Sequence, residues 1–271
     1  MHWYKPIFIL FIFFFSWLFL RIFLFDTFII ASSSMLPTLR KNDLVLVEKV
    51  SYGARLYTKF HFSSNDYSLK SFRLKGLKGI RRGDVFVFNG SLEKNRIKFD
   101  INTVYCKRCF ACPGDTIVNS NGVLLNETYQ FMEDDPFPSI ELDDMFEGGV
   151  CHYPAFFENK KICVPKSGEF VILDKTNYLI YKKVIEFETG LHLSYNSKKN
   201  KIYLGNKHIS QYEFLNDYYF TLGDNYYHSL DSRYWGFVPE SFIIGKTKTI
   251  LYPLSEEKNQ RIWKRIFYDI E

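Results

Sequence analysis

Ala31-Ser32-Ser33-Ser34-Met35-Leu36-Pro37-Thr38-Leu39 is the stretch around which the rest of the chain falls into place. Its serines stand just past a long apolar segment, and Met-Leu-Pro-Thr follows them. Pro37 fixes its own φ and pushes Leu36 toward an extended conformation. A serine hydroxyl three residues before such a rigid point is held at a defined angle. Read alone, the stretch is more simply a Ser-rich linker leaving a membrane. Two distant stretches change that balance. Tyr105-Cys106-Lys107-Arg108-Cys109-Phe110-Ala111-Cys112-Pro113-Gly114-Asp115 carries an isolated lysine. Gly223-Asp224-Asn225-Tyr226-Tyr227-His228-Ser229-Leu230-Asp231-Ser232-Arg233 is a polar turn.

Upstream of the serines, Pro6 to Phe25 is broken only by Ser16 and Arg21. A helix of about 20 residues spans roughly 30 Å, one hydrocarbon core. A cleaved leader would have an apolar part of about 7–15 residues and a small-residue cleavage site. Here Arg21, Asp26 and more apolar residues follow, which favours an uncleaved single anchor. Arg21 lies near the end, where it can snorkel, and Trp3, Tyr4 and Trp17 suit interfacial depths. Lys5 favours an inside N-terminus, although Arg40 and Lys41 blunt the rule. The residues from Asp26 to Ser34 reach at most about 30 Å when extended, so Ser34 stays close to the bilayer surface.

The whole chain has 271 residues, enough for one large domain or two modest ones. Its formal charge of +5 is mild, and no basic helix or finger motif points to nucleic acid. Downstream, Asn42 to Val50 reads as a strand between polar ends. Ser51 to Lys78 is mixed and basic, a long hairpin excursion or a loop. Further strands are expected at Val85 to Phe88, Ile101 to Cys106, Thr116 to Val118 and Phe242 to Leu251. From Asn119 to Tyr218 the composition shifts, with Asn, Asp and Lys clusters and short strand-like runs such as Phe170 to Leu173. It reads as an inserted cap. Glu256 to Ile270 is expected as a short helix, with Ile262, Trp263, Ile266 and Phe267 on one face. The result is a mostly β protein on a membrane stalk.

A serine needs a base to become a nucleophile. His228 has Ser229 and Asp231 beside it, but triad members so close along a chain rarely converge, because strand neighbours point to opposite faces. A lysine serves if burial disfavours its ammonium form. Alternation puts Tyr105 and Lys107 on one face, Cys106 and Arg108 on the other. One of Lys107 and Arg108 is then expected to point inward while the other meets solvent.

Together the three stretches resemble the bacterial type I signal peptidase, or leader peptidase, family. Gly83-Asp84-Val85-Phe86 matches its strand box, and Arg21, Phe23, Phe28 and Ile30 are spaced as in its linker. The match covers the anchor and residues about 21–50, 81–118 and 221–250, with the boxes in the family's order. The resemblance implies that Ser34 is the nucleophile and Lys107 the general base. It implies an oxyanion hole from the Ser32 hydroxyl and the Ser34 N–H, with Ser229 orienting the lysine. Asp231 and Arg233 match a supporting ion pair. It implies a signal-peptidase-like β catalytic domain, 31–118 and 219–271 with the C-terminal tail. The cap is residues 119–218, β-rich, and the anchor and linker are residues 1–30. The activity implied is removal of signal peptides from exported preproteins through an acyl-enzyme, with no metal or cofactor. Substrates carry small residues one and three places before the cut. The location implied is the cytoplasmic, or inner, membrane, with the catalytic part on the outer side. A narrow secretion or conjugation substrate, or a non-catalytic envelope binding protein on the same scaffold, are the rival readings.

The chain departs from the family pattern in three places. Ala31 stands where Pro is common, and Ser33 where Gly is common. Ala111 replaces a glycine, and would be strained there if that position needs a positive φ. Cys106, Cys109 and Cys112 look like part of a zinc or iron–sulfur pattern, but a nearby fourth ligand is missing. As small half-buried side chains they need no other explanation. Cys151 and Cys163 enclose a short loop and could pair in an oxidising compartment.

Overall fold

The computed structural model describes residues 4–58, 71–90, 96–120, 123–126, 161–253 and 263–270. Helix α1 (Tyr4–Phe23) is the one helix among them long and apolar enough to cross a membrane. Its apolar side chains from Ile7 to Trp17 are exposed all round. The segment after it starts a sheet at once. Strand β1 (Phe25–Ile29) pairs antiparallel with β2 (Asp43–Glu48). The junction is pinned by polar contacts: Arg21 pairs with Asp26, and Lys49 Nζ donates to the Arg21 carbonyl at 2.6 Å.

Strands β3 (Arg55–Tyr57) and β4 (Ser71–Arg73) form the hairpin excursion. The body is an antiparallel sheet built on β2, β5 (Val85–Asn89) and β6 (Val104–Ala111). From the C-terminal part it takes β15 (Tyr218–Leu222), β16 (Val238–Pro239), β17 (Ile243–Pro253) and β18 (Tyr268–Asp269). Its order is β1-β2-β17-β5-β6-β15-β16, with β18 also on β17. Thus β17, late in the chain, lies between the early strands β2 and β5, and β15 lies beside β6.

Strand β5 is buried along its whole length and serves two cores. Val85 and Val87 face one, with Met35, Leu39, Val45, Val47 and Ile250. Phe86 and Phe88 face the other, with Tyr52, Tyr219 and Ile243. The period of two in a strand produces this division. Met35 and Leu39 are wholly buried, each contributing about 1.5–3 kcal/mol relative to exposure. They nail down the loop that carries Ser34.

Between β6 and β15 lie β7 (Thr116–Ser120), β8 (Val123–Asn126), β9 (Lys161–Cys163) and β10 (Phe170–Ile172). A helix, α2 (Lys175–Thr189), and strands β11 (Leu193–Asn196), β12 (Lys201–Leu204), β13 (Lys207–Ile209) and β14 (Gln211–Glu213) follow. Helix α2 is absent from the sequence reading, which saw only strand-like runs here. Asp174 caps its start by accepting the Asn177 N–H at 2.7 Å, and Gly190, at φ 67°, ends it. It buries Ile180, Tyr181, Val184 and Ile185 in a third cluster, with Phe110, Ile117, Tyr218 and Phe220.

The expected C-terminal helix is corrected. The described part is a 3-10 turn at Trp263–Arg265, then β18. Tertiary pairing overrides helical periodicity here: beyond Lys246, where β5 ends, β17 offers a ladder, and Ile270 drops into the Val45 and Val47 core. Arg265 reaches the Asp43 carboxylate and the Thr38 carbonyl, the latter at 3.2 Å. The proposed Cys151–Cys163 pairing lies outside the described residues, as does Ile262.

Candidate active site

Ser34 enters the body directly before the buried Met35, and only 7% of it is exposed. Lys107 comes from the middle of β6, opposite Phe86 on β5, and is 3% exposed. Their side chains meet: Lys107 Nζ is hydrogen-bonded to Ser34 Oγ. Ser32 Oγ lies 3.1 Å from Ser34 Oγ. Residues 73 positions apart in the chain are therefore in direct contact.

The turn after β15 completes the enclosure. Asn225 clamps the serine loop twice, its N–H to the Ser34 carbonyl at 3.0 Å and its Nδ2 to the Ser33 carbonyl at 3.1 Å. Gly223 is wedged between this loop and Ser229. A Cβ there would lie 2.5 Å from the Ser34 oxygen and 2.1 Å from Ser229 Oγ. Ser229 is buried, and its hydroxyl has no hydrogen-bond partner among the described residues. Such a group is costly, by about 1–3 kcal/mol, unless it has a use.

Burial pushes the Lys107 amine below its ordinary value. The carboxylates of Asp231 and Asp224 oppose this, and Arg233 assists it. Burial prevails because each carboxylate is already engaged. Arg233 grips Asp231 with Nε to Oδ1 and Nη2 to Oδ2, both 2.7 Å. Arg108 grips Asp224 with Nε and Nη2, both 2.8 Å. Neither acid is left as a counterion for the lysine. The Arg233 pair is built further into the structure. Its guanidinium sits 3.7 Å over the Tyr226 ring, and Asp231 accepts the Gly223 N–H at 3.0 Å. Arg233→Met, which strands a buried carboxylate, should cost about 3–5 kcal/mol, read as a lowered thermal unfolding midpoint.

The structure thus brings Ser34, Lys107 and Ser32 into one contact and lays Ser229, Asp231 and Arg233 around it. It corrects one expectation. Arg108 does not meet solvent; it is 3% exposed, like Lys107. The far side of β6 is covered as well, and Asp224 supplies the charge that permits this. Asp224, Asn225 and Gly223 were quoted in the sequence but given no role, because their partners are set by the approach of β15 to β6. His228 is exposed, and Asp231 is spent on Arg233, so the local Ser–His–Asp alternative is not built. Ala111 closes β6 without a positive φ, so no strain attends the missing glycine.

The three cysteines do not share a face. Cys106 packs with Val85 and Val87, its sulfur 3.6 Å from Thr247 Oγ1. Cys109 and Cys112 belong to the Phe86 cluster.

This architecture has relatives. The family model described as "Signal peptidase, peptidase S26" matches residues 1–144 and 157–252. The signal peptidase I of Buchnera aphidicola subsp. Baizongia pistaciae is 30% identical over 258 residues, covering 89% of this chain and 74% of its own length. That of Aquifex aeolicus is 27% identical, covering 92% of this chain and 84% of its own. A solved signal peptidase I from Enterococcus faecalis aligns at 17% identity over 63% of this chain and 98% of that one, with a TM-score of 0.29, too low to bear on the fold. On the family match and on identity sustained along nearly the whole sequence, the chain belongs to the signal peptidase family, peptidase S26.

Proposed function

We propose that this chain is a membrane-anchored serine endopeptidase that removes N-terminal signal peptides from exported preproteins through a Ser34–Lys107 dyad. The observation that carries the reading is the hydrogen bond between a buried lysine amine and a buried serine hydroxyl. Family membership supplies the substrate class. Lys107, whose burial favours the neutral amine, takes the Ser34 proton as the oxygen attacks the scissile carbonyl. The tetrahedral oxyanion accepts hydrogen bonds from the Ser34 N–H and the Ser32 hydroxyl. Lys107 returns the proton to the leaving amine, and an acyl-enzyme remains. Water, deprotonated by Lys107, releases it. Ser229 orients the amine; its buried hydroxyl, without a hydrogen-bond partner among the described residues, is the supporting observation.

In this reading α1 is the anchor, and the globular part lies on the outer side of the cytoplasmic membrane. The short path from α1 through β1 to Ser34 keeps the nucleophile near the bilayer, where a signal peptide would still be held. The catalytic domain comprises 31–118 and 219–271, with 119–218 as cap, and substrates present small residues one and three places before the cut. The mechanism needs no metal or cofactor.

The test is incubation of the purified full-length chain with a preprotein. The wild type is expected to release the signal peptide, and Ser34→Ala to release none. Cleavage by both would show that another residue is the nucleophile. Ser32→Ala should lower kcat by about 10²–10³-fold with little change in KM, since its hydroxyl acts on the developing oxyanion. An unaltered kcat would remove Ser32 from the oxyanion hole.

A further inference from the structure

Cys109 and Cys112 have no part in the chemistry above, yet the fold brings them together. Strand alternation alone would place residues three apart on opposite faces. The pairing of β6 with β15 breaks that alternation. Cys109 faces Thr221 and Ala111 faces Phe220, so Phe110 is one residue more than β15 can match. An extra residue of this kind shifts the parity of the strand. Phe110 and Ala111 both turn to the cluster under α2, whereas Cys109 and Cys112 turn to the Phe86 cluster. Their sulfurs lie 3.8 Å apart.

The two thiols differ. Cys109 is buried, and its thiol is pushed up, chiefly by burial. Cys112 is half-buried at the end of the strand, and the hydrogen bond from Cys109 pulls its thiol down. Arg82 and Asp115, paired beside it, keep this corner ordered: the Asp115 carboxylate accepts Arg82 Nε at 2.6 Å and the Cys112 N–H at 2.8 Å.

We propose that Cys109 and Cys112 are a redox modification site that closes to an intrachain disulfide by exchange with a disulfide oxidant. The Cys112 thiolate attacks one sulfur of the oxidant. That S–S bond breaks, and the first thiolate leaves with the proton that Cys112 gave up. The Cys109 thiol then loses its proton and attacks Cys112 Sγ, expelling the oxidant's second sulfur as a thiol. Two cysteines are oxidised and one disulfide is reduced to two thiols. The sulfurs must close from 3.8 Å to about 2.05 Å. The bond staples the extra-residue turn that follows Lys107, without touching Lys107 or Ser34. Its occurrence in the cell rests on the outer-side location proposed above, where disulfide donors persist. The pairing itself does not.

The experiment treats the purified full-length chain in detergent with glutathione disulfide, quenches in acid and alkylates the remaining thiols. Mass spectrometry then locates each cysteine. The expected product links Cys109 to Cys112, its peptide lighter by two hydrogen atoms, while Cys106 stays alkylated. Cys109→Ser should leave a lasting glutathione adduct on Cys112, and Cys112→Ser should abolish the bond. Alkylation of both thiols in excess oxidant would overturn the proposal, as would a wild-type chain that stops at the glutathione adduct. A chain that forms the bond but cleaves no preprotein would sink the catalytic reading and leave this one standing.

Discussion

Lys107→Met should lower preprotein cleavage by about 10³–10⁴-fold, the loss expected when a positioned general base is removed. Methionine fills a similar volume, so the thermal unfolding midpoint should change little. Lys107→Arg should not restore activity, because a guanidinium stays charged and cannot take the serine proton. The pH dependence follows from the same cause. The active form of Lys107 is the neutral amine. Below its pKa the ammonium dominates, and the rate should fall about tenfold per pH unit. Burial lowers that pKa below the ordinary lysine value, so the rise to a plateau occurs at lower pH than a solvated lysine would give. The measurement is single-turnover cleavage across pH with excess enzyme. A Lys107→Met chain retaining a tenth of wild-type rate, or a profile flat through the rise, would remove Lys107 from the base role.

Gly223→Ala should be nearly as damaging, although a single methyl group is added. Its Cβ would fall 2.5 Å from the Ser34 carbonyl oxygen, which is main chain and cannot swing aside. Ser229 Oγ, at 2.1 Å, could rotate away, but Ser229 Cβ, at 2.5 Å, could not. The serine loop would have to move instead, and misplacement of about 1 Å costs roughly 10²-fold in rate. The same shift loosens the Asn225 clamp. The expected result is a fall in kcat of that order, with helix and sheet content intact by circular dichroism. Unchanged kcat would mean that the loop is free to adjust, and that contact with Gly223 does not position Ser34.

Much of this molecule is legible along the chain, and the reason is locality. The candidate membrane helix shows because its apolar run, broken only by Ser16 and Arg21, is as long as a bilayer is wide. Strands such as Val85 to Phe88 show because they are rich in valine and phenylalanine and bounded by turns. Helix α2 is marked in the sequence too: Asp174 starts it and Gly190 ends it, and both are ordinary boundary signals. Polar clusters around it hid the apolar stripe of Ile180, Tyr181, Val184 and Ile185.

Other features could not be read from the chain because they belong to contacts between distant segments. Arg108 reads as a surface cation until β15 brings Asp224 to it. The last residues follow a helical pattern, yet the ladder that β17 offers beyond Lys246 and the carboxylate of Asp43 make a strand of them. The cysteine spacing suggests one cluster; strand alternation sets Cys106 apart from Cys109, and a single extra residue in β6 brings Cys112 to Cys109. Sequence by itself determined the kinds of residue and their order: a serine before Met-Leu-Pro, a lysine in a strand, an acidic turn and an apolar lead. Only the tertiary structure decided their charge states and neighbours. Burial and ion pairing act through space: burial depresses the Lys107 amine, and Asp231 and Asp224, each held by an arginine, do not offset it.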